Sequence, residues 1–510
     1  MTAQLIAKIL AFALYLGFMV YIGLRSAKSN NSAKDFFLGG RKVGPWVTAL
    51  SAEASDSSAW LLMGLPGLCY LGGIKETFWT ALGLIVGTYL NWLIVAKPLR
   101  KASVEFGDAI TIPDYFKKRF NDKSNILAIV ASLVIIFFFT IYTASGFVAC
   151  GKLFQSVFGL NYKIGLLIGL VVILSYTIMG GYKAVCTTDF VQGSLIFIAF
   201  VVSSIILVAV LGGPGSAIES AKGFNADAIK GLFGEEMKNA FSANSTYGVM
   251  SAVSAFAWCL GYFGMPHIII RFMGISSGKE VKIARRVGIV WMIVSYVGTF
   301  IIGTLATVYL KNGQGLILEG GLAETVFSET MLQMYPAFIA GIFLCAILAA
   351  SMSTADSQLL SASSSIAFDI YKGIINKDAD EKKVLTISRI SVFAISLVAL
   401  GLCMLPNNDS IFGLVSYAWA GFGAAFGPII ILSLYWKKCN NKGAIAGIIG
   451  GFIAVVAWHN IPGSVAPIFG IYEILPGFIV CLVLTVVVSL LTKNDAEVEA
   501  KFDEYKKIED

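Results

Sequence analysis

The stretch SAEASDSSAWLLMGLPG, residues 51–67, places two carboxylates within an otherwise small and apolar segment. Glu53 and Asp56 stand there among four serines, and long apolar stretches flank them on both sides. An aspartate at the centre of a membrane span costs at least about 2.5–3.5 kcal/mol on insertion scales. If the chain crosses a membrane, this stretch therefore predicts a functional site.

The composition is that of a protein embedded in a membrane. Of 510 residues, 57% are hydrophobic and only 14% are charged, whereas soluble domains carry about 25% charged residues. Apolar segments of about 20 residues, each long enough to cross a bilayer core, recur along the chain. We predict an all-α polytopic membrane protein forming one domain over residues 1–510, with thirteen spans at residues 4–24, 46–70, 76–96, 125–149, 161–181, 189–211, 246–266, 286–310, 336–364, 388–405, 409–436, 443–459 and 470–492.

The lysines and arginines of the loops predict the orientation. Most of the 38 basic residues fall in the loops after odd-numbered spans and in the tail, residues 493–510. Because cytoplasmic loops carry such an excess, we expect the N-terminus outside and the C-terminus in the cytoplasm of a cell-membrane protein. Basic loops facing anionic lipid also explain the net charge of +7 without nucleic acid.

Enzymatic and soft-metal chemistry find no support in the sequence. The eight cysteines are scattered without a C-x-x-C pair, and there are only two histidines. No nucleophile, histidine and acid come together in a motif. We expect neither an enzyme nor a zinc or redox protein.

The buried aspartate needs a partner. The second, seventh and ninth spans offer no lysine or arginine at a comparable depth, so a bound cation is the simplest partner of Asp56. Gly64, Pro66 and Gly67 predict an unwound segment after it, where freed carbonyls can bind Na⁺ and freed amides a substrate carboxylate. Alternatively, the span begins at Ala54 and the acids are merely interfacial.

A second polar cluster lies in the ninth span, within ILAASMSTADSQLLSASSS. Ala350, Ser353 and Thr354 are spaced i, i+3, i+4 and so share one helix face. Such hydroxyls often only bond the preceding turn. Their number here favours an oxygen-lined site for a hard monovalent cation.

Four aromatic residues stand beside these polar clusters and the predicted breaks: Trp60, Tyr142, Trp258 and Tyr262. The last two belong to WCLGYFGMPH, residues 258–267, where two glycines and Pro266 predict a helix bent or interrupted near the end of its span. A substrate cage and ordinary core filling both remain open for the aromatics, as does a simple proline kink for the helix.

At these residues the chain resembles the sodium:solute symporter family, over about residues 5–490, and is most similar to its proline-transporting branch. The resemblance is carried by long stretches in the family's order: GGRKVGPWVTALSAEASDSSAWLLMGLPG, YTIMGGYKAVCTTDFVQ, GYFGMPHIIIRFM, AILAASMSTADSQLLSASSSIAFDIYK and GLVSYAWAGFGAAFGPIIILSLYW. It implies a leucine-transporter-like core at about 46–436, built of two inverted five-span repeats (spans 2–6 and 7–11). Spans 4–24, 443–459 and 470–492 would be peripheral.

The resemblance also implies roles for individual residues. The Na⁺ site would use backbone oxygens of Ala54 and Ser57, the Ala350 carbonyl and the hydroxyls of Ser353 and Thr354, with Asp56 and Ser58 in support. Residues around the substrate would be Trp60, Gly64, Tyr142, Trp258, Tyr262 and Pro266. Asp189 would lie on the ion route and Arg41 would affect the apparent affinity for sodium. Ser57 and Ala59 depart from the methionine and glycine that the family often has there.

The implied function is secondary active transport, in which inward Na⁺ flux drives uptake of L-proline by alternating access. Na⁺ and proline would be the small-molecule partners and the bilayer the surroundings, and we expect no obligate protein partner. Two alternatives stay open: a Na⁺ symporter of another small solute, such as a sugar, a vitamin or another amino acid, and a membrane sensor built on the same fold. An ion channel is disfavoured because no pore loop repeats.

Overall fold

The computed structural model describes residues 2–27, 33–224, 249–310, 315–406, 408, 410–462 and 465–508. Within these ranges the regular elements are helices, and one isolated bridge joins Val43 to Ile275. In chain order the helices are α1 Ala3–Ala27, α2 Ala33–Leu38, α3 Pro45–Ala59, α4 Leu65–Gly72, α5 Ile74–Leu90, α6 Lys97–Glu105, α7 Ile112–Arg119, α8 Ile126–Phe158, α9 Tyr162–Val210, α10 Pro214–Phe224, α11 Val249–Phe256, α12 Pro266–Gly274, α13 Val281–Val308, α14 Val326–Met334, α15 Ala337–Ser364, α16 Glu381–Cys403, α17 Ile411–Tyr435, α18 Asn441–His459, α19 Ile474–Leu491 and α20 Ala496–Lys507.

Ten helical segments of the described chain are long and apolar enough to cross a membrane. These segments are α1, α5 with α6, α8, the second part of α9, and α13, α15, α16, α17, α18 and α19. They confirm a multi-pass integral membrane protein. A further candidate is a bent pair, in which Val249–Phe263 and α12 meet at 42°.

The predicted spans at 46–70 and 161–181 are helical but do not pass the same test of length and apolarity. The first of them is interrupted at Ser58 and carries two acids and four serines. Residues 48–67 are all buried inside the protein, so this segment does not face lipid and need not be apolar. The second is the first part of α9, of which the apolar portion is only Tyr162–Ser175.

The loop expected between residues 181 and 189 is absent, because α9 continues through it. Only Gly181 leaves the helical conformation there, with φ 64° and ψ 179°. This backbone region is open essentially to glycine alone. The two spans therefore adjoin directly at a single glycine.

The breaks in two buried spans lie elsewhere than expected. In the second span the interruption is at Ser58, with φ 43° and ψ −177°, rather than at Gly64, which lies in the π-helical turn Trp60–Gly64. In the seventh, Ala257–Phe263 forms a 3₁₀ turn and the helix resumes as α12. Its first residues, 246–248, lie outside the described part.

The seventh span thus runs eight residues beyond its predicted end at 266, to Gly274, so its break is central. The misleading residues were His267 and Arg271, which resembled the polar residues of a loop. Both are fully buried, which is possible because Arg271 pairs with a carboxylate inside the protein.

The core surrounds α3, which packs against α9, α12, α13 and α15. At one end of the molecule, α20 of the tail covers the segment that holds α6 and α7. There the Arg119 guanidinium lies 4.7 Å from the Phe502 ring, and Tyr505 lies 5.4 Å from Phe106. The tail is therefore an ordered part of this face.

Candidate functional site

Three successive carbonyls just before the break in α3 face side chains of three other elements. The Ser353 hydroxyl donates to the Ala54 carbonyl at 2.9 Å. His267 Nε2 lies 3.2 Å from the Ser55 carbonyl, and the Tyr142 hydroxyl donates to that of Asp56 at 3.4 Å. The broken span thus presents a row of three carbonyl oxygens, which are contacted by α15, α12 and α8.

Of the residues expected to bind Na⁺, three are in contact. The Ser353 hydroxyl bonds both the Ala54 carbonyl and, at 3.2 Å, the Ala350 carbonyl. The adjacent Thr354 hydroxyl is buried and has no hydrogen-bond partner within the described chain. This unsatisfied hydroxyl and an all-oxygen donor set fit a hard monovalent cation.

Ser57 and Ser58 contribute differently from the expectation. The Ser57 carbonyl accepts a hydrogen bond from the Trp60 amide, and its hydroxyl donates to the Glu53 carbonyl at 2.6 Å. The Ser58 hydroxyl accepts from the Trp60 amide at 3.1 Å. In this conformation both serines close the break rather than pointing oxygens at α15.

The two carboxylates of the opening stretch are buried, with exposed fractions of 2% for Glu53 and 8% for Asp56, and their helix begins at Pro45 rather than at Ala54. The Tyr262 hydroxyl donates to Asp56 Oδ2 at 2.5 Å. Trp92 Nε1 donates to Glu53 Oε1 at 3.1 Å. The partners of both carboxylates are therefore neutral donors.

Two of the four expected aromatic residues, Trp60 and Trp258, form a layer above Asp56 together with Phe412 and Tyr472, which were not expected. Trp60 and Trp258 stack with ring centroids 5.2 Å apart, and Phe412 and Tyr472 lie 5.6 and 5.1 Å from Trp258. Beneath the layer is a cavity of about 10 Å³. It is lined by Asp56, Ser57, Trp60, Leu84, Tyr142, Trp258, Tyr296, Val415 and Trp419. A space of this size holds about one water molecule.

On the other side of the layer lies a vestibule of about 780 Å³. Trp258 lines both spaces, while Phe412, Tyr472, Glu76 and Glu473 line only the vestibule. The aromatic layer is therefore the partition between an open vestibule and the enclosed cavity above Asp56.

Trp419 is a site residue that the sequence interpretation missed. Its Nε1 donates to the Trp258 carbonyl at 2.8 Å, and its ring meets that of Tyr262 edge-on at 4.9 Å. A Cβ at Gly261 would lie 2.0 Å from Trp419 Nε1, so glycine is required there. The motif GLVSYAWAGFG carried the signal, since this tryptophan stands among small residues in a span.

Three expected residues do not line the cavity, and one of them is Tyr262, which instead donates to Asp56. Gly64 lies against the Trp60 ring, where a Cβ would come within 3.0 Å of Cδ1. Pro266 is buried at the start of α12 and lies next to His267, which faces the Ser55 carbonyl. Gly64 and Pro266 therefore shape the broken spans around the cavity.

Asp189 lies in a separate buried network. It forms an ion pair with Arg271 at 3.1 Å and accepts a hydrogen bond from Ser51 at 2.6 Å. Arg271 also donates to Ser51 and to Ser357 of α15. The seventh span was expected to offer no lysine or arginine, yet it carries the buried Arg271, which pairs with Asp189 and not with Asp56.

Arg41 is the centre of a clamp at the opposite end from the vestibule. It pairs with Asp108 at 3.0 Å and donates to the carbonyls of Met273 and Ala109 at 2.6 and 2.7 Å. Although partial burial by itself would raise the pKa of Asp108, hydrogen bonds from Lys34 and Arg41 lower it below its ordinary value. The clamp joins the segment after α1 to the α6–α7 segment and to the end of α12.

A second buried ion pair lies at the start of α17. Lys152 of α8 and Glu324 form an ion pair at 2.8 Å, with each side chain only 10% exposed. The Glu324 carboxylate also accepts hydrogen bonds from the amides of Ile411 and Phe412, at 3.3 and 3.2 Å. It therefore fixes the start of α17, which carries one ring of the aromatic layer.

Comparisons with known proteins agree with this architecture. A family model described as Sodium:solute symporter family matches residues 36–451. The osmoregulated proline transporter OpuE of Bacillus subtilis is 42% identical, over 96% of this chain and 96% of its own. The sodium/proline symporter of Escherichia coli is 42% identical, over 97% and 95% of the two chains. Sodium/proline symporter 2 of Staphylococcus saprophyticus is 44% identical, over 94% and 91%.

Among solved structures, a substrate-bound, outward-open Na⁺-coupled sialic acid symporter matches with a TM-score of 0.79 at 19% identity, covering 96% of this chain and 98% of that one. MhsT in complex with L-phenylalanine matches with a TM-score of 0.54 at 15% identity, covering 88% and 98%. At these identities the likeness shows the fold alone, and it is the expected leucine-transporter-like fold.

Proposed function

Since the chain belongs to the sodium:solute symporter family, we propose that it couples inward Na⁺ flux to the uptake of L-proline by alternating access. The proposal of proline as the substrate rests on the relatives that are named as proline transporters, which are 42–44% identical over nearly the full length. We place that solute between Asp56 and the aromatic layer. No catalytic step is required.

For the ion we propose a site between α3 and α15. Ala54, Ala350 and Ser353 supply oxygens that already converge, and the unpaired Thr354 hydroxyl supplies another. Ser57 would join if its carbonyl turned away from the Trp60 amide. Asp56, three residues before the end of α3, would add a negative charge without direct contact.

For proline we propose the cavity under the Trp60–Trp258 stack. Tyr142 and Tyr296 line it, Tyr262 bonds Asp56 beside it, and Trp60 Nε1 is a buried donor without a partner among the described residues, suited to a carboxylate. Since the cavity holds only about one water molecule, the rings must part to admit the solute. The structure therefore corresponds to a closed state of the cycle.

We further propose thirteen spans in two inverted repeats, at about 46–211 and 246–436. This count adds α3 with α4, the bent pair and the first part of α9 to the ten apolar segments. The interruptions at Ser58 and at Ala257–Phe263 support it, because each falls in the first span of one proposed repeat. The basic loops favour an outward-facing vestibule and a cytoplasmic Arg41 clamp.

One Na⁺ supplies enough energy for concentrative uptake. Moving one charge down about 100 mV yields roughly 2.3 kcal/mol, and a tenfold sodium gradient adds about 1.4 kcal/mol. The sum of about 3.7 kcal/mol supports an accumulation of several hundredfold.

The test is uptake of labelled proline into proteoliposomes with an imposed inward Na⁺ gradient, for wild type, Asp56→Asn and the exposed tail control Asp503→Asn. We expect Na⁺-dependent uptake in wild type and the control, and its collapse in Asp56→Asn. Uptake indifferent to Na⁺ would refute the coupling. Absence of proline uptake by folded protein would refute the substrate, and competition with sugars, vitamins and other amino acids would then identify it.

A further inference from the structure

An apolar groove opens on the membrane face of the protein where α3, α9 and α13 meet. Its volume is about 510 Å³, and its lining is apolar apart from Ser194 and Arg286. The other lining residues are Trp46, Leu50, Phe197, Ile198, Val287, Val290 and Trp291. Trp46, Ile198 and Val290 are each more than half exposed, so the protein leaves this groove open to the bilayer.

Two cations stand at one end of the groove. Lys282 and Arg286 lie one turn apart near the start of α13, and both are exposed. No residue of the described ranges forms an ion pair with either of them. Trp46, at the start of α3, marks the same level, where tryptophans typically meet the lipid headgroups.

We propose that this groove binds one anionic phospholipid, with its phosphate at Arg286 and Lys282 and one acyl chain along the apolar walls. From the headgroup level the groove extends inwards past Leu50 on α3 and Trp291 on α13. Those positions lie about 6 and 7.5 Å deeper than Trp46 and Arg286, at 1.5 Å of rise per residue. An acyl chain enters the bilayer in the same direction.

Charge complementarity selects an anionic lipid over other apolar occupants. Basic pockets between helices on the cytoplasmic side are typical sites for anionic headgroups, and the loop charges place α13's first turn on that side. A second protein helix would satisfy the apolar walls but leave both cations unpaired. A zwitterionic lipid would also fill the space between the apolar walls, but its headgroup would be attracted less strongly by Lys282 and Arg286.

The bound lipid would act on the moving part of the protein. Leu50 lies one residue before Ser51, which is tied to Asp189 and Arg271, and Trp291 Nε1 donates to the Gly193 carbonyl of α9 at 2.9 Å. A chain filling the groove would press α3 against α9 and α13. It would therefore stabilise the conformation described, in which the Arg41 clamp is formed.

The experiment is native mass spectrometry of the full-length protein in detergent, titrated with palmitoyl-oleoyl phosphatidylglycerol or phosphatidylcholine. The variants are Arg286→Gln for the headgroup and Val290→Trp for the acyl chain. Each has a matched control on the same helix outside the groove: Arg285→Gln, whose guanidinium lies over the Tyr89 ring, and the half-exposed Val297→Trp.

We expect one phosphatidylglycerol bound at least fivefold more tightly than phosphatidylcholine. Arg286→Gln should weaken phosphatidylglycerol binding about fivefold, the factor that roughly 1 kcal/mol per charge gives. Val290→Trp should weaken both lipids, and the two controls neither. Equal loss in Arg285→Gln would show general charge attraction and overturn the site, as would binding unchanged by Val290→Trp. The binding readout is independent of the transported solute, so its failure would leave the transport proposal intact.

Discussion

Replacing Glu324 with glutamine should hold the outer pathway open. In the structure this carboxylate pairs with Lys152 and accepts hydrogen bonds from the amides of Ile411 and Phe412, so it ties three segments together. Glutamine keeps one oxygen for an amide but loses the charge. All these contacts belong to the closed state that we propose, so their loss should act on the balance between closed and open states.

The expected size follows from burial. Removing one partner of a buried ion pair costs about 3–5 kcal/mol, and both side chains here are only 10% exposed. Glutamine retains some of the hydrogen bonding, so we take the lower end. About 3 kcal/mol corresponds to a shift of roughly 150-fold towards the open state. Since each cycle must close this gate, we expect the maximal uptake rate to fall at least tenfold.

Two measurements test this prediction together. The first is the maximal rate of Na⁺-driven proline uptake in proteoliposomes. The second is labelling of a cysteine introduced at Val415, which lines the enclosed cavity, by an external membrane-impermeant thiol reagent in a Cys259→Ala background. We expect slower uptake and faster labelling, whereas a mere folding defect would lower the amount of folded protein without speeding the labelling.

A charge reversal separates the two roles of this carboxylate. In Lys152→Glu with Glu324→Lys the ion pair can re-form, but an ammonium group then faces the amides at the positive end of α17. We therefore expect the double variant to stay defective. Recovery of uptake in that variant, or wild-type uptake and labelling in Glu324→Gln, would refute the reasoning.

Three further predictions concern other parts of the site. Thr354→Ala should raise the Na⁺ concentration for half-maximal uptake, while Thr354→Ser, which keeps the hydroxyl, should not. Trp419→Phe loses the donor to the Trp258 carbonyl, so the KM for proline should rise about fivefold, the effect of a hydrogen bond worth about 1 kcal/mol. Asp108→Asn removes the carboxylate of the Arg41 clamp. The pKa of the Asp108 carboxyl is lowered in the folded protein. The carboxylate therefore stabilises the folded state fully above the ordinary pKa of about 3.9, and this stabilisation is lost as the pH falls through the lowered pKa of the folded state. The difference in Tm between wild type and Asp108→Asn should therefore vanish in acid.

Much of the fold was predictable because lipid imposes a simple rule. Apolar segments such as α8 and α15 were predicted to span the membrane, and the composition and length of these helices agree with that prediction. The rule fails inside the bundle, where a helix meets only protein. His267 and Arg271 made α12 resemble a loop, yet a buried carboxylate from a distant part of the chain accommodates the arginine. Such pairing depends on contacts that no local pattern contains.

The site divides along the same line. The spacing of Ala350, Ser353 and Thr354 placed them on one helix face, and that face does meet Ala54. By contrast, neither a glycine nor a proline stands at the break in α3. Ser58 itself adopts a positive φ there. The strain of such a serine is held by its surroundings, so sequence alone pointed to the glycine and proline a turn or two later.

The aromatic layer and the Arg41 clamp both involve the seventh span. Its 3₁₀ turn carries Trp258 of the aromatic layer, while α12 carries Met273 next to its last residue, and the Arg41 clamp holds the Met273 carbonyl. Between them, the Tyr262–Asp56 hydrogen bond joins the break of this span to the break of α3. If this span were a rigid helix, a movement that opened one end would also displace the other end. In the mechanism that we propose, flexing at the breaks would let each end open in turn, and an ion and a solute bound near Asp56 would govern both.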